Sequence, residues 1–286
     1  MAEVGAGESG LSRDRPRREA PPAHRILAIR YGHHARVAAD NFLGGDDHAT
    51  PMPLDYYVWA ILRNDRPPIV VDTGFDAATA ARRGRTLLRP VQEGLAAAGI
   101  DVGSIEDVII THMHFDHAGS LGLFPRARFH VQDAEMAFCT GRAMTERVTR
   151  APFDAAPVAE MVGLLFGERV VFHAGTETIA PGIVVRHVPG HSRGLQVVEV
   201  ATARGPVVLA SDAAHLYANI TRATPFPVVV DVPAYLDGLK RLRAWTTSLG
   251  HIVPGHDPLV LARFPANGPD IVRVDLPPDP PIAETT

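Results

Sequence analysis

The sequence contains a single cysteine and no long apolar run. The lone thiol, Cys139, excludes an internal disulfide framework and any cysteine-rich zinc site. No apolar run approaches the ~20 residues that a membrane-spanning helix requires. Residues 1–24 carry charges and lack the apolar centre of a secretory signal, so we expect a cytoplasmic protein.

An excess of positive charge is also absent. The 28 Lys and Arg residues stand against 32 Asp and Glu residues, which gives a net charge of −4. We therefore expect no nucleic-acid partner and no stable membrane association. The 46% hydrophobic residues are typical of a globular protein. Composition predicts a single domain over 25–275, between disordered tails at 1–24 and 276–286.

Short runs rich in β-branched residues predict strands in both halves of the chain. In the first half the runs are YYVWAILRN (56–64) and PIVVDTG (68–74), and a helix is predicted over 77–99 with a kink or break at Pro90. In the second half, strand-like runs precede an amphipathic helix, and they lie at 169–175, 183–191, 195–202 and 206–213. Two sets of strands, each followed by helix, predict two sheets packed face to face with helices outside.

The motif THMHFDHAG (111–119) is the most specific signal in the chain. Six consecutive positions hold four side chains that can bind a metal ion: His112, His114, Asp116 and His117. They follow the apolar run DVIITH, so we expect them at the end of a strand. Imidazole and carboxylate groups together suit zinc and similar ions. Because four ligands leave two ions under-coordinated, the motif predicts further ligands downstream.

Three later residues also follow short apolar runs: His191, Asp212 and His256. Gly190 and Gly255 precede the two histidines, and glycine lets the backbone turn tightly enough for each imidazole to reach inward. We interpret the nearby His187 and His251 as strand or loop residues without a metal role. Cys139 lies in a predicted helix without a neighbouring histidine, which indicates a buried, inert thiol.

This pattern of ligands resembles that of the metallo-β-lactamase superfamily. VVDTG (70–74) is similar to the early strand-and-loop signature of that superfamily, and the likeness runs over about residues 25–262. Within the superfamily the chain resembles the N-acyl-homoserine lactonases, a group that includes a branch opening 4-pyridoxolactone. The stretches that carry this likeness are YYVWAI, VVDTGFD, PGHSRGLQ, SDAAHLY and PGHDP.

The resemblance implies a four-layer αββα sandwich with two divalent metal ions at one edge of the sheets. Zinc is the expected ion, with manganese, iron and cobalt as alternatives. The implied first site is formed by His112, His114 and His191, and the second by Asp116, His117 and His256. Asp212 would bridge both ions, and Asp72 would support the imidazole of a ligand from behind.

The implied chemistry is the opening of a lactone by a hydroxide that bridges the two ions. Asp116 would take the proton of the nucleophile and pass it to the leaving oxygen. In the better-known lactonases a tyrosine three residues after the bridging aspartate binds the substrate carbonyl; here that position is His215, and Tyr217 follows, so one of these two would be the donor. The basic run RRGR (82–85) is interpreted as a solvated helix face, with binding of a substrate carboxylate as its alternative.

An N-acyl-homoserine lactone is the first expected substrate, which implies degradation of a quorum signal. 4-Pyridoxolactone or another lactone or ester is the second expectation. A thioester hydrolase of the glyoxalase II kind would use an almost identical ligand set, and a metal-binding module without catalysis is a further alternative. The relatives imply a monomer or a homodimer.

Overall fold

The computed structural model of the protein describes residues 22–46, 48–64 and 66–284. Among them, the larger of two mixed sheets has nine strands. In this part of the chain the strand order is β13-β14-β1-β2-β3-β5-β6-β7, and β4 pairs with β1. The strands of this sheet are β1 (Arg25–His34), β2 (Leu54–Arg63), β3 (Arg66–Val71), β4 (Thr86–Leu87), β5 (Asp107–Ile109), β6 (Arg128–Gln132), β7 (Val170–His173), β13 (Ala266–Gly268) and β14 (Ile271–Arg273).

The smaller sheet comes from the second half of the chain, in the order β12-β11-β10-β9-β8. Its strands are β8 (Thr176–Ala180), β9 (Ile183–His187), β10 (Gln196–Thr202), β11 (Gly205–Ser211) and β12 (Ile252–Pro254). The helices that accompany the sheets are α1 (Ala77–Arg83), α2 (Val91–Ala97), α3 (Phe115–Ala118), α4 (Asp133–Cys139), α5 (Arg147–Arg150), α6 (Ala155–Phe166), α7 (Tyr217–Thr221), α8 (Val232–Trp245) and α9 (Pro258–Arg263).

Both faces of the larger sheet are buried, and β2 shows why. Side chains alternate across a strand, so Tyr57 and Trp59 face one side while Tyr56 and Val58 face the other. The first pair packs into a core shared with the smaller sheet, and the second pair packs into a core shared with helices. On the far side of the smaller sheet, α8 adds Leu239 to the first core. The four-layer αββα sandwich is therefore confirmed.

The stretch 77–99 differs from the predicted helix. It forms two short helices, α1 and α2, with β4 between them. Helix α1 ends at Gly84, whose φ of 62° lies in the left-handed region that favours glycine, and Pro90 is the residue before α2. Strand β4 pairs with β1, which the 3.6-residue periodicity of the sequence does not reveal. Arg85 therefore lies between α1 and β4 rather than on a helix face.

The structure describes only part of each tail that the sequence predicts to be disordered. Residues 1–21 lie outside the described residues, whereas His24 is buried and its backbone N–H donates to the carbonyl of Ala201. At the other end, Ile282 packs against the core and Glu284 accepts a hydrogen bond from the backbone of Leu249. Within the tail predicted as disordered (276–286), these two side chains therefore contact the domain. Among the described residues, none of the helices combines the length and apolar character needed to cross a membrane.

Candidate metal centre

The candidate ligands lie at one edge of the sandwich because the strands that carry them point the same way. In the larger sheet β3 and β5 are parallel, so the residues after both strands lie side by side. In the smaller sheet β9 and β11 both pair antiparallel with β10, and β12 is parallel to β11, so these three strands also end at one edge. The structure brings together all seven residues predicted as ligands, and all seven are buried: His112, His114, Asp116, His117, His191, Asp212 and His256.

Asp212 lies between two groups of histidines. Its Oδ2 is 3.1 Å from Nε2 of His191 and 3.8 Å from Nε2 of His112. Its Oδ1 faces the other way, 2.9 Å from Nε2 of His256 and 3.3 Å from Nε2 of His117. Each carboxylate oxygen therefore belongs to a different group, which is the arrangement that a bridging ligand requires.

The two groups have the composition of two adjacent metal sites. In the first, one donor atom from each residue lies within 4.8 Å of the others, and its members are His112, His114, His191 and Asp212. The second group brings donor atoms of Asp116, His117 and His256 within the same distance. In this group Oδ2 of Asp116 is 3.6 Å from Nε2 of His117 and 3.7 Å from Nε2 of His256.

The low pKa of two imidazoles and the unpaired atoms fit divalent cations. Burial lowers the pKa of His112 and of His114 well below the usual value, so both imidazoles are neutral, as metal ligands must be. Burial alone would also lower the pKa of His117 and of His256, but the neighbouring carboxylates raise it. Burial alone would raise the pKa of Asp212, but the surrounding imidazoles hold it well below its ordinary value. Within the described part of the chain, Nε2 of His117 and Oδ1 of Asp212 are buried without a hydrogen-bond partner. Such atoms are costly to leave unpaired, and coordination would satisfy both.

Asp72 supports His117 from behind, which is the contact that the resemblance implied. Its Oδ2 is 2.7 Å from Nδ1 of His117, so Nε2 of that ring is directed at the site. The same carboxylate accepts hydrogen bonds from the backbone N–H and the hydroxyl of Thr111, at 2.7 and 2.8 Å. Asp72 has a φ of 63°, a strained left-handed conformation that Asp tolerates better than most residues. Carbonyl oxygens orient two further ligands in the same way, at Nδ1 of His191 and of His256.

Glu135 supports the loops of the candidate ligands, and the sequence did not reveal it. It is fully buried at the start of α4, where its Oε1 accepts a hydrogen bond from the backbone N–H of Met113 at 2.8 Å. Its Oε2 accepts hydrogen bonds from Ser192 Oγ and from the backbone N–H of Gly194. One carboxylate thus ties the loop of His112 and His114 to the loop of His191. These partners are 22 to 59 residues away along the chain, so no local pattern marks them.

The structure separates the two residues proposed as substrate donors. His215 lines the pocket over the ligands, with Nε2 at 3.0 Å from Oδ2 of Asp212 and its ring stacked on Phe226 at 3.8 Å. Burial lowers the pKa of His215 to about 3, so the ring is neutral. The prediction for Tyr217 is wrong: its hydroxyl donates to the carbonyl of Ile252 at 2.8 Å inside the core. Because Tyr217 begins α7, its side chain points away from the pocket.

The remaining candidates lie as follows. Cys139 is buried, and burial raises the pKa of its thiol to about 12, which agrees with the predicted inert role. Of the RRGR run, Arg82 and Arg83 form ion pairs with Asp154, whereas Arg85 reaches the pocket over the ligands. His34, to which the sequence assigned no function, lines the same pocket.

A small pocket of about 90 Å³ covers the ligands and opens into an outer cavity of about 1300 Å³. Candidate ligands form the base of the small pocket, and Leu54, Tyr56 and Phe226 add apolar walls. The two cavities are continuous, since both are lined by Arg85, His114, Phe115, Pro152, His191 and Val228. A substrate therefore has room to place one group at the ligands while the rest extends outward.

The sequence profile of the metallo-beta-lactamase superfamily matches residues 53–262, and the chain belongs to that superfamily. An N-acyl homoserine lactonase of Bacillus sp is 27% identical over 206 residues, which cover 66% of this chain and 76% of the relative. The human metallo-beta-lactamase domain-containing protein 1 is 34% identical over 151 residues, covering 51% of this chain and 44% of the relative. The chain is thus a metal-dependent hydrolase related to N-acyl homoserine lactonases.

Solved structures share the fold. A quorum-quenching N-acyl homoserine lactone lactonase has a TM-score of 0.68 at 21% identity, covering 83% of this chain and 94% of that one. An N-acyl homoserine lactone hydrolase with N-hexanoyl-L-homoserine bound at its catalytic metal centre has a TM-score of 0.67 at 21% identity, with 84% and 96% covered. At these identities the likeness concerns the fold.

Proposed function

We propose that this protein opens a lactone ring by hydrolysis, and that an N-acyl-homoserine lactone is its substrate. The observation that carries the proposal is the arrangement around Asp212, in which two groups of buried ligands share one carboxylate at the base of a pocket. The relatives named as N-acyl homoserine lactonases support the choice of substrate. The product would be the ring-opened N-acyl-homoserine, and the biological role the degradation of a quorum signal.

The seven ligands would hold two ions, the first on His112, His114 and His191, the second on Asp116, His117 and His256, with Asp212 shared. When bound, two divalent ions supply a hydroxide nucleophile at neutral pH and polarise the carbonyl of the ester. Zinc is the ion that we propose, because the donors are imidazole nitrogens and carboxylate oxygens.

Two side chains of the pocket would transfer the proton and bind the substrate carbonyl. Asp116 lines the pocket at the second group of ligands, where its carboxylate would take the proton of the nucleophile and return it to the departing alkoxide. His215 would donate its Nε2–H to the lactone carbonyl when Asp212 Oδ2, 3.0 Å from that nitrogen, is engaged by an ion, and stacking on Phe226 fixes its ring. We also propose a cytoplasmic location and a monomeric or homodimeric state.

A direct test measures acid release when zinc-loaded protein meets N-hexanoyl-L-homoserine lactone at pH 7, with spontaneous hydrolysis subtracted. We expect kcat/KM above ~10⁴ M⁻¹s⁻¹, an ordinary value for an enzyme on its own substrate. Mass spectrometry should show a product heavier than the lactone by one water. Failure to release acid above background would reject this substrate and leave 4-pyridoxolactone-like lactones and thioesters to be assayed in the same way.

A further inference from the structure

Arg85 directs a cation toward the pocket over the metal ligands. Its Nη1 donates to the carbonyl of Arg83 at 2.6 Å and lies 3.2 Å from Nε2 of His34. Its Nε is buried and has no hydrogen-bond partner among the described residues. The backbone is fixed on both sides, since the N–H of Arg85 donates to the carbonyl of Ala80 and the next residue begins β4. The guanidinium is thus held in place beside the pocket, with its Nε–H left unpaired by the residues that the structure describes.

Two neighbouring arginines, Arg83 and Arg36, already donate hydrogen bonds. Arg83 donates to the carbonyls of Ala151 and Phe153 and pairs with Asp154, which holds that loop over the pocket. Arg36 also lines the small pocket, but its guanidinium donates to Asn41 and to a neighbouring carbonyl. Of the two arginines that line the small pocket, Arg85 is the one that also lines the outer cavity.

The outer cavity has an excess of positively charged side chains. Five arginines line it against two carboxylates, and Asp154 is already paired with Arg82 and Arg83. The arginines are Arg83, Arg85, Arg147, Arg150 and Arg193. A cavity of one sign raises the local concentration of ligands of the opposite sign. The protein as a whole carries a net charge of −4, so this positive surface is a local feature.

We propose that Arg85 binds a carboxylate of the substrate, so that the preferred lactone carries an anionic group beside the ring. This inference rests on the proposed lactonase activity and narrows its substrate class. With the lactone carbonyl at the ligands, an attached chain passes Arg85, which lines both the small pocket and the outer cavity. A planar guanidinium matches the two oxygens of a carboxylate, and such charge-assisted hydrogen bonds are stronger than neutral ones.

The test compares two lactones of equal size, N-succinyl-homoserine lactone and N-(4-methylpentanoyl)-homoserine lactone, in which a carboxylate replaces an isopropyl group. We expect wild-type kcat/KM to favour the succinyl compound by about 10- to 100-fold, the range of a charge-assisted hydrogen bond. Arg85→Gln should remove this preference, mainly through KM, because kcat/KM falls much further for the succinyl compound than for the 4-methylpentanoyl compound.

Arg126→Gln is the control for net charge, because Arg126 is exposed, pairs with Glu106 and lines neither cavity. It should leave both lactones unaffected. Equal wild-type turnover of the two lactones, or a loss with Arg85→Gln that is the same for both, would overturn the carboxylate assignment while lactone hydrolysis stands. If neither lactone is hydrolysed, the proposed lactonase activity is rejected, and this inference is rejected with it.

Discussion

Replacing Asp212 by alanine is expected to lower kcat/KM on the hydrolysed lactone by about 10³-fold or more. Asp212 is the only residue whose two oxygens face both groups of ligands in the described structure. Its loss would remove a ligand from each proposed site, and metal ions supply several kcal/mol of transition-state stabilisation in such hydrolases, with each ~1.4 kcal/mol worth tenfold in rate. The metal content should also fall below two ions per chain, and His117→Ala should behave alike.

Asp237→Ala is the matched control, because Asp237 is exposed on α8 and also loses a carboxylate on substitution. It should retain two ions and wild-type rates. Circular dichroism and the urea midpoint of each variant show whether the fold persists. A folded Asp212→Ala protein with near-wild-type kcat/KM would contradict the two-ion assignment.

Replacing His215 by phenylalanine is expected to lower kcat by about 10²-fold, the range found when one hydrogen-bond donor to the reacting oxygen is removed. Phenylalanine keeps a flat ring that can stack on Phe226, so the shape of the pocket is preserved. Since His215 is not among the seven proposed ligands, the variant should still bind two ions. Steady-state kinetics with metal analysis on the same sample separates the two effects.

Tyr217→Phe is the comparison that makes this result specific. The hydroxyl of Tyr217 donates to the buried carbonyl of Ile252, and leaving that acceptor unpaired costs about 1–3 kcal/mol of unfolding free energy. The activity of the folded protein should be unchanged. The opposite result, an active His215→Phe and an inactive but folded Tyr217→Phe, would indicate that Tyr217, and not His215, binds the substrate carbonyl.

The sequence is informative about the ligands because their signal is local. Four of them lie in one motif, and the other three each follow an apolar run, so the edge where parallel strands end could be expected to gather them. The resemblance implies that Asp72 supports the imidazole of a ligand, and the structure identifies that imidazole as the ring of His117. The two sheets are predictable for a similar reason, since alternation along a strand such as β2 is set by its own residues.

Other parts of the site depend on contacts between distant segments. Glu135 gains its role only when α4 packs beneath two ligand loops, and nothing in its neighbours along the chain indicates this. The sequence pattern places Arg85 on a helix face. It does not show the pairing of β4 with β1, because that pairing joins segments that are distant along the chain. The sequence does not show that Tyr217 points into the core, because the direction of its side chain depends on where α7 begins.

The most direct test of the account is the titration of metal-free protein with zinc while lactone hydrolysis is followed. Protein stripped with a chelator should release no acid from N-hexanoyl-L-homoserine lactone above the spontaneous rate. Activity should return as zinc is added and reach its plateau at two ions per chain, in parallel with bound zinc measured on the same samples. Full activity in the chelated protein, or a plateau reached without bound metal, would contradict the account.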